Sequence, residues 1–134
     1  MKKFKGIFPA LVTPFDKEGE ISPEAVEKLV ESCLEKDVSG FYVGGSTGES
    51  YLLSVEERRR MLELVMKAVG GRADVIANIG VFSTKQGIAL AKHAESLGVS
   101  AISSVPPFYF PFSMEEYVRY YNDLADSVDV PVII

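Results

Sequence analysis

Apolar and polar positions follow two rhythms along this chain. Short, nearly continuous apolar runs occupy Ile7 to Val12, Phe41 to Val43, Val75 to Ile79, Ala101 to Val105 and Val130 to Ile134. Runs of this length with little alternation suit strands buried on both faces of a parallel sheet. Longer amphipathic stretches fill the gaps. In the first, Val26, Leu29, Val30, Cys33 and Leu34 fall at i, i+3, i+4, i+7 and i+8, a single stripe on one side of a helix. Tyr117, Tyr121, Leu124, Ala125 and Val128 form the corresponding stripe in the last. The predicted order is strand–helix four times over, then a final strand.

Capping chemistry marks the boundaries. Ser54 to Glu57, Ser83 to Gln86 and Ser113 to Glu116 are S-x-x-E/Q boxes, each able to satisfy two backbone N–H groups at a helix start. Ser22-Pro23 places proline where a first helical turn tolerates it, and Gly70-Gly71 and Gly98 mark helix ends. Strand, loop and helix return roughly every 25–35 residues, the unit of an α/β barrel or of an open doubly wound sheet. Periodicity does not separate the two. Length alone favours the open sheet, because a complete eight-fold barrel takes about 250 residues and this chain has 134.

Composition changes the picture only by exclusion. The chain is 47% hydrophobic and 25% charged, ordinary for one soluble domain, and carries a net charge of -5 that argues against nucleic acid as a partner. No apolar run approaches the ~18 residues of a membrane span. Lys2, Lys3 and Lys5 resemble the basic start of a signal peptide, but Pro9 and Pro14 interrupt the stretch behind them and no small-residue cleavage site follows. A cytoplasmic protein is the expectation.

The densest chemistry lies in Tyr42-Val43-Gly44-Gly45-Ser46-Thr47-Gly48-Glu49-Ser50, where an apolar run meets a helix start. Gly44, Gly45 and Gly48 lack the Cβ that would keep a ligand from the backbone, and Ser46 and Thr47 add hydroxyl donors, so the turn can hold an anion. A tight strand-to-helix turn needs the same glycines for structural reasons alone. A nucleoside triphosphate is disfavoured, because Gly48 is followed by Glu49 and Ser50 instead of the Lys-Ser/Thr of a phosphate loop. A small monoanion such as a carboxylate remains compatible.

Other reactive types carry less. Cys33, the one cysteine, sits on the apolar stripe of its helix and is expected to pack there. His93, the one histidine, falls mid-helix beside Lys92 and Glu95, where a solvated surface role is expected, and a histidine-built metal cage is excluded. Arg58-Arg59-Arg60 is flanked by Glu56, Glu57 and Glu63, so pairing on a wet helix face accounts for it and no ligand is assigned. No metal and no cofactor are implied.

Three segments together carry a resemblance. Phe8-Pro9-Ala10-Leu11-Val12-Thr13-Pro14-Phe15, the turn Gly44-Gly45-Ser46-Thr47-Gly48-Glu49, and Pro107-Phe108-Tyr109-Phe110-Pro111-Phe112-Ser113 are similar to the dihydrodipicolinate synthase / N-acetylneuraminate lyase family of pyruvate-dependent aldolases. The Gly-Gly-Ser-Thr-Gly-Glu and Pro-Phe-Tyr-x-Pro-Phe-Ser forms resemble the lyase branch more than the synthase branch, which typically has Gly-Thr-Thr-Gly-Glu. The resemblance covers the whole chain and implies an α/β fold, the N-terminal half of a (β/α)8 TIM barrel from its first strand and helix to its fifth strand. Residues 1–134 are then a single partial-barrel domain ending within the fifth strand.

The same resemblance implies roles. Ser46 and Thr47 match the pair that binds the substrate carboxylate, and Ser46 also matches the position that passes a proton between active-site tyrosines. Tyr109 matches the second tyrosine, which in relatives reaches across a subunit interface; packing among Phe108, Phe110 and Phe112 is the alternative for it. The Schiff-base lysine, at the end of the sixth strand, and the tyrosine just after the fifth are expected beyond Ile134. Expected partners are a small keto acid (pyruvate or sialic acid) and either a complementary half-barrel or a second copy of the chain. With a second copy as partner a homo-oligomer is expected, because a partial barrel presents unpaired strand edges. The expected activity is class I lyase or aldolase chemistry in the complete barrel and none in this chain alone. Dihydrodipicolinate synthase, a 2-keto-3-deoxy sugar acid aldolase and a non-catalytic half-barrel scaffold are the alternatives.

Overall fold

A computed structural model, describing residues 3–134, turns the two rhythms into alternating helices and parallel strands. In chain order these are α1 (Pro23–Leu34), β1 (Gly40–Val43), a 3₁₀ turn (Ser46–Gly48), α2 (Val55–Val69), β2 (Asp74–Asn78), α3 (Thr84–Ser96), β3 (Ala101–Ser103), α4 (Met114–Ala125) and β4 (Val132–Ile133). Lys2, read above as part of a basic N-terminus, lies outside the described residues.

The first apolar run departs from expectation. Ile7 to Val12 lies beside β1 without being a strand: Tyr42 N–H donates to the Pro9 carbonyl and Leu11 N–H to the Tyr42 carbonyl, both at 3.0 Å. Ala10 and Tyr42 form a single parallel bridge. Pro9 has no N–H and cannot extend a ladder, so the segment holds the place of a barrel strand through isolated bonds. The last strand is also shorter than the run Val130 to Ile134, reduced to Val132–Ile133.

Sheet order decides between the two architectures left open by periodicity. The strands run β1-β2-β3-β4, each parallel to the next and in chain order. A doubly wound sheet reverses its order where the crossovers change face, whereas a barrel wall does not. Register puts Phe41 opposite Val75, Val43 opposite Ala77, and Ala77 opposite Ile102. These residues share one face and join Val26, Val30, Met61, Val65, Leu90, Ala94 and Leu124 of the helices in one continuous core. Tyr42, Ile76, Asn78, Ala101 and Ser103 line the opposite face by the same register. Helices on one face of a sequentially ordered parallel sheet make this an α/β half-barrel.

Most of the boundary chemistry is present. Ser54 with Glu57 and Ser113 with Glu116 close capping boxes in both directions, Ser22 Oγ accepts from Ala25 N–H, and Gly70 ends α2 in the left-handed region at φ 56°. Ser83 is the exception. It occupies the N-cap of α3, yet its hydroxyl accepts no bond from the helix, so the box to Gln86 is not closed. The α4 stripe is also rotated from the expected one: Tyr120 and Leu124 are its buried residues, while Ala125 is exposed. Cys33 packs partly buried against the core, as its stripe position predicts.

Candidate active site

Parallel strands of a barrel deliver their chemistry at their C-terminal ends, and the glycine turn lies at that end of β1. Gly44 adopts φ 71°, which turns the chain out of the sheet. The Gly45 carbonyl then accepts the N–H groups of Gly48 at 3.0 Å and Ser50 at 3.4 Å, closing the 3₁₀ turn, and Glu49 leaves it in the left-handed region at φ 56°. Close approach explains the last glycine of the turn: a Cβ on Gly48 would stand 3.0 Å from the Leu11 carbonyl and 3.4 Å from Thr13 Oγ1. That contact is used, because the Thr13 hydroxyl donates to the Gly48 carbonyl at 2.7 Å.

Ser46 and Thr47 stand exposed at the start of this turn, where a helix leaves its first N–H groups without internal acceptors. Neither hydroxyl is engaged by another described residue. The pair therefore offers two hydroxyls and adjacent backbone donors on one exposed turn, a donor set suited to a carboxylate.

Tyr109 is 73% exposed. Its ring stands 4.9 Å from that of Phe110 and 6.2 Å from that of Phe82, measured between centroids, and no hydrogen bond joins it to Ser46 or Thr47. It belongs to a string of ring contacts running Tyr51–Phe82–Phe108 and on through Tyr109, Phe110 and Phe112 to Tyr117. Burial within this cluster raises the Tyr51 hydroxyl above its usual range. The structure thus sets Ser46 and Thr47 side by side on the turn and Tyr109 on an exposed aromatic ridge that starts from Tyr51, with no hydrogen bond between the two.

Behind the turn lies a polar network that sequence reasoning missed. Asn78 Nδ2 donates to Tyr42 Oη at 2.9 Å, and Tyr42 Oη lies 2.7 Å from Ser103 Oγ, so one chain of bonds crosses β1, β2 and β3. Arg58 anchors it. Its guanidinium donates to the carbonyls of Gly80 and Asn78, both at 2.9 Å, and only 7% of the residue is exposed. Desolvation pulls the guanidinium below its ordinary range, partly opposed by the Tyr51 and Tyr120 hydroxyls nearby. The expectation of a wet, carboxylate-paired arginine run is corrected here: it holds for Arg60, 3.7 Å from Glu63, and fails for Arg58, which turns inward to the end of β2. His93 is corrected likewise. It is half-buried, with Nε2 3.0 Å from Glu63 Oε1, and ties α3 to α2 instead of facing solvent.

No described group of histidine, cysteine, aspartate and glutamate could hold a metal ion. Among the described residues no helix is long and apolar enough to cross a membrane.

Comparison with known proteins agrees with this geometry. The sequence model of the dihydrodipicolinate synthetase family matches residues 3–134. An N-acetylneuraminate lyase 2 of Escherichia coli O6:H1 is 44% identical over 133 residues, covering 98% of this chain and 44% of that protein. An N-acetylneuraminate lyase of Citrobacter koseri is 39% identical over 134 residues. Among solved structures, CdNal of Clostridium difficile in complex with mannosamine superposes with a TM-score of 0.96 at 40% identity, covering 99% of this chain and 46% of that one. YagE, a prophage protein of E. coli solved in complex with pyruvate, gives 0.94 at 30% identity, covering 96% and 43%. The chain spans about half the length of the relatives it matches.

Proposed function

The chain belongs to the dihydrodipicolinate synthetase family, and on that footing we propose that it supplies the carboxylate-binding half of a Schiff-base carbon–carbon lyase. The reading is of the N-acetylneuraminate lyase type, reversible cleavage of N-acetylneuraminate to N-acetylmannosamine and pyruvate. The observation that carries it is the exposed, unengaged Ser46 and Thr47 hydroxyl pair at the C-terminal end of a barrel strand.

Amine attack on a keto acid joins a lysine nitrogen to the keto carbon and expels water. It runs efficiently only when the acid is held so that its carbonyl faces the amine. Ser46 and Thr47 are proposed to fix the carboxylate, and Ser46 with Tyr109 to relay the proton. The described lysines do not supply the nucleophile in this reading. Lys3, Lys5, Lys17 and Lys36 lie in connecting segments, and Lys28, Lys67, Lys85 and Lys92 lie on helices, none at the end of a strand. A complementary half-barrel, or another part of a longer protein, is proposed to bring the amine and the tyrosine that follows the fifth strand. Residues 1–134 then act as one partial-barrel unit, and a second copy is proposed to complete the site at Tyr109, giving a homo-oligomer.

A synthase-type reaction is the second reading, favoured by a dihydrodipicolinate synthase structure at 36% identity and a TM-score of 0.92. Both readings share the pyruvate subsite. The test is to treat the chain with pyruvate and borohydride, alone and together with the C-terminal half of a lyase relative. The mass of this chain should stay unchanged in both mixtures, with the adduct on the added half and pyruvate released from N-acetylneuraminate only in the mixture. A stoichiometric adduct on a lysine of this chain would overturn the assignment. Release of pyruvate that survives Ser46→Ala together with Thr47→Val would reduce the turn to a structural role.

A further inference from the structure

We propose that Tyr42 is a positioning residue for the Ser46–Thr47 turn, held by a hydrogen-bond chain that Arg58 anchors and Asn78 aims; its bearing on substrate rests on the reading of that turn as a carboxylate cradle. The direction of the chain follows from its first link. Gly80 N–H donates to Asn78 Oδ1 at 2.8 Å, which fixes the amide with its oxygen toward Gly80 and its nitrogen toward Tyr42. Nδ2 therefore donates to Tyr42 Oη. Tyr42 Oη and Ser103 Oγ share the second bond at 2.7 Å, so the phenol is tied to β2 on one side and to β3 on the other. Arg58 keeps this geometry in place by holding the carbonyls on both sides of Ile79.

The consequence reaches the turn through the Tyr42 ring. Its hydroxyl is tied to β2 and β3, so the ring lies across the sheet face turned away from the helices. Its edge then meets Gly45, where an added Cβ would stand 2.6 Å from Tyr42 Cε1 and 3.0 Å from Cδ1. Gly45 is the residue whose carbonyl accepts both Gly48 and Ser50 N–H groups. A ring pinned at its hydroxyl thus backs the residue on which the turn closes, and so sets where Ser46 and Thr47 stand.

Two variants separate the hydroxyl from the ring. Tyr42→Phe keeps the ring volume and deletes both hydroxyl bonds. Ser103→Ala keeps the phenol and the bond it accepts from Asn78 but deletes the tie to β3, so Tyr42 loses one of its two hydroxyl bonds. Native-state amide exchange on the chain reads the result at Gly48 and Ser50, with the Val65 amide of α2 as the core reference. Both variants should speed exchange at Gly48 and Ser50 about fivefold or more, the loss of roughly one hydrogen bond, while Val65 changes less than about twofold. Unchanged exchange at Gly48 and Ser50, or equal acceleration at Val65, would overturn the proposal. Should Tyr42→Phe fail to fold, Ser103→Ala carries the test by itself. Pyruvate titration followed at the Ser46 and Thr47 amides isolates the reading beneath it. Saturable shifts in the parent chain, weakened several-fold in Tyr42→Phe, support both. Their absence in the parent chain sinks the carboxylate cradle and leaves the exchange result to decide the positioning role.

Discussion

The Thr13 hydroxyl donates to the carbonyl of Gly48 at 2.7 Å inside the fold, which fastens the N-terminal segment to the turn that follows β1. The bond spans two segments that have no helix or ladder in common. Replacing Thr13 by Val preserves shape and leaves a buried carbonyl without its donor, a change worth about 1–3 kcal/mol. Urea unfolding should show that loss for Thr13→Val and recover most of it for Thr13→Ser. Equal stability of the Val and Ser variants would mean that methyl packing, not the hydroxyl, holds the segment.

Arg58 predicts a larger effect. Two carbonyls at the end of β2 depend on one buried fork, so Arg58→Met should cost about 2–5 kcal/mol by stranding both acceptors. Arg58→Lys should recover only part, because an ammonium cannot donate along two parallel directions as a guanidinium does. Arg60→Met is the control on the exposed side of the same run and should change stability by less than about 0.5 kcal/mol. A Lys variant as stable as the parent chain would show that charge alone, without the fork, is sufficient.

Much of this architecture is legible in the chain, and the misses have physical causes. Apolar runs locate β1, β2 and β3 because their residues face helices on one side and a packed barrel face on the other. Pro9 is equally visible, yet whether it merely weakens a strand or reduces it to isolated bonds depends on what lies opposite. The glycine turn is readable because Gly44 and Gly48 answer local demands, a positive φ and a close backbone. Arg58 is not readable: nothing in Arg58-Arg59-Arg60 distinguishes the one residue that faces the end of β2 from its neighbours. Tyr120 is missed because the α4 stripe fits Tyr120 or Tyr121 equally well at i+3 and i+4 from Tyr117. Only the hydroxyl partners, Ser104 Oγ at 2.9 Å and the Val81 carbonyl at 3.2 Å, set the rotation that buries it. The network through Tyr42, Asn78 and Ser103 joins three separate strands, so its members carry no common spacing.

Stability should fall at both ends of the pH scale for opposite reasons. At the acid end, Glu57 and Glu116 accept N-cap N–H groups and Glu31 pairs with Arg72, each held below its ordinary 4.5. Carboxylates depressed in the folded state stabilise it above the unfolded value and lose that contribution as pH falls through the lower folded values. These groups are exposed, so screening keeps the effect small. At the alkaline end, burial raises the Tyr51 and Tyr121 hydroxyls above 10.0. The folded state retains their protons longer than the unfolded one, so this contribution is present below 10 and is lost as pH rises. Tm measured against pH should therefore be flat between the two limits. Glu57→Gln with Glu116→Gln should lower the plateau and flatten the acid limb alone, and Tyr121→Phe should flatten the alkaline limb alone. An acid limb unaltered in the double variant would remove the capping boxes from the explanation.

The aromatic ridge predicts self-association. Phe82, Phe108, Tyr109 and Phe110 are all exposed, at 47%, 59%, 73% and 60%; the Phe82 ring meets those of Phe108 and Tyr109, and Tyr109 meets Phe110. Contiguous apolar area of this kind favours burial against another surface. Unpaired strand edges are a second source of association, at β4 and at the segment beside β1. The two are separable. Sedimentation at micromolar concentration should give a mass above that of one 14.7 kDa chain. Phe108→Asp with Phe110→Asp should restore the single-chain mass without altering the far-ultraviolet circular dichroism, since neither residue belongs to the core. If the double variant associates as strongly as the parent chain, the edges carry the contact; a monomeric parent chain would remove self-association altogether and with it the proposal that a second copy completes the site at Tyr109.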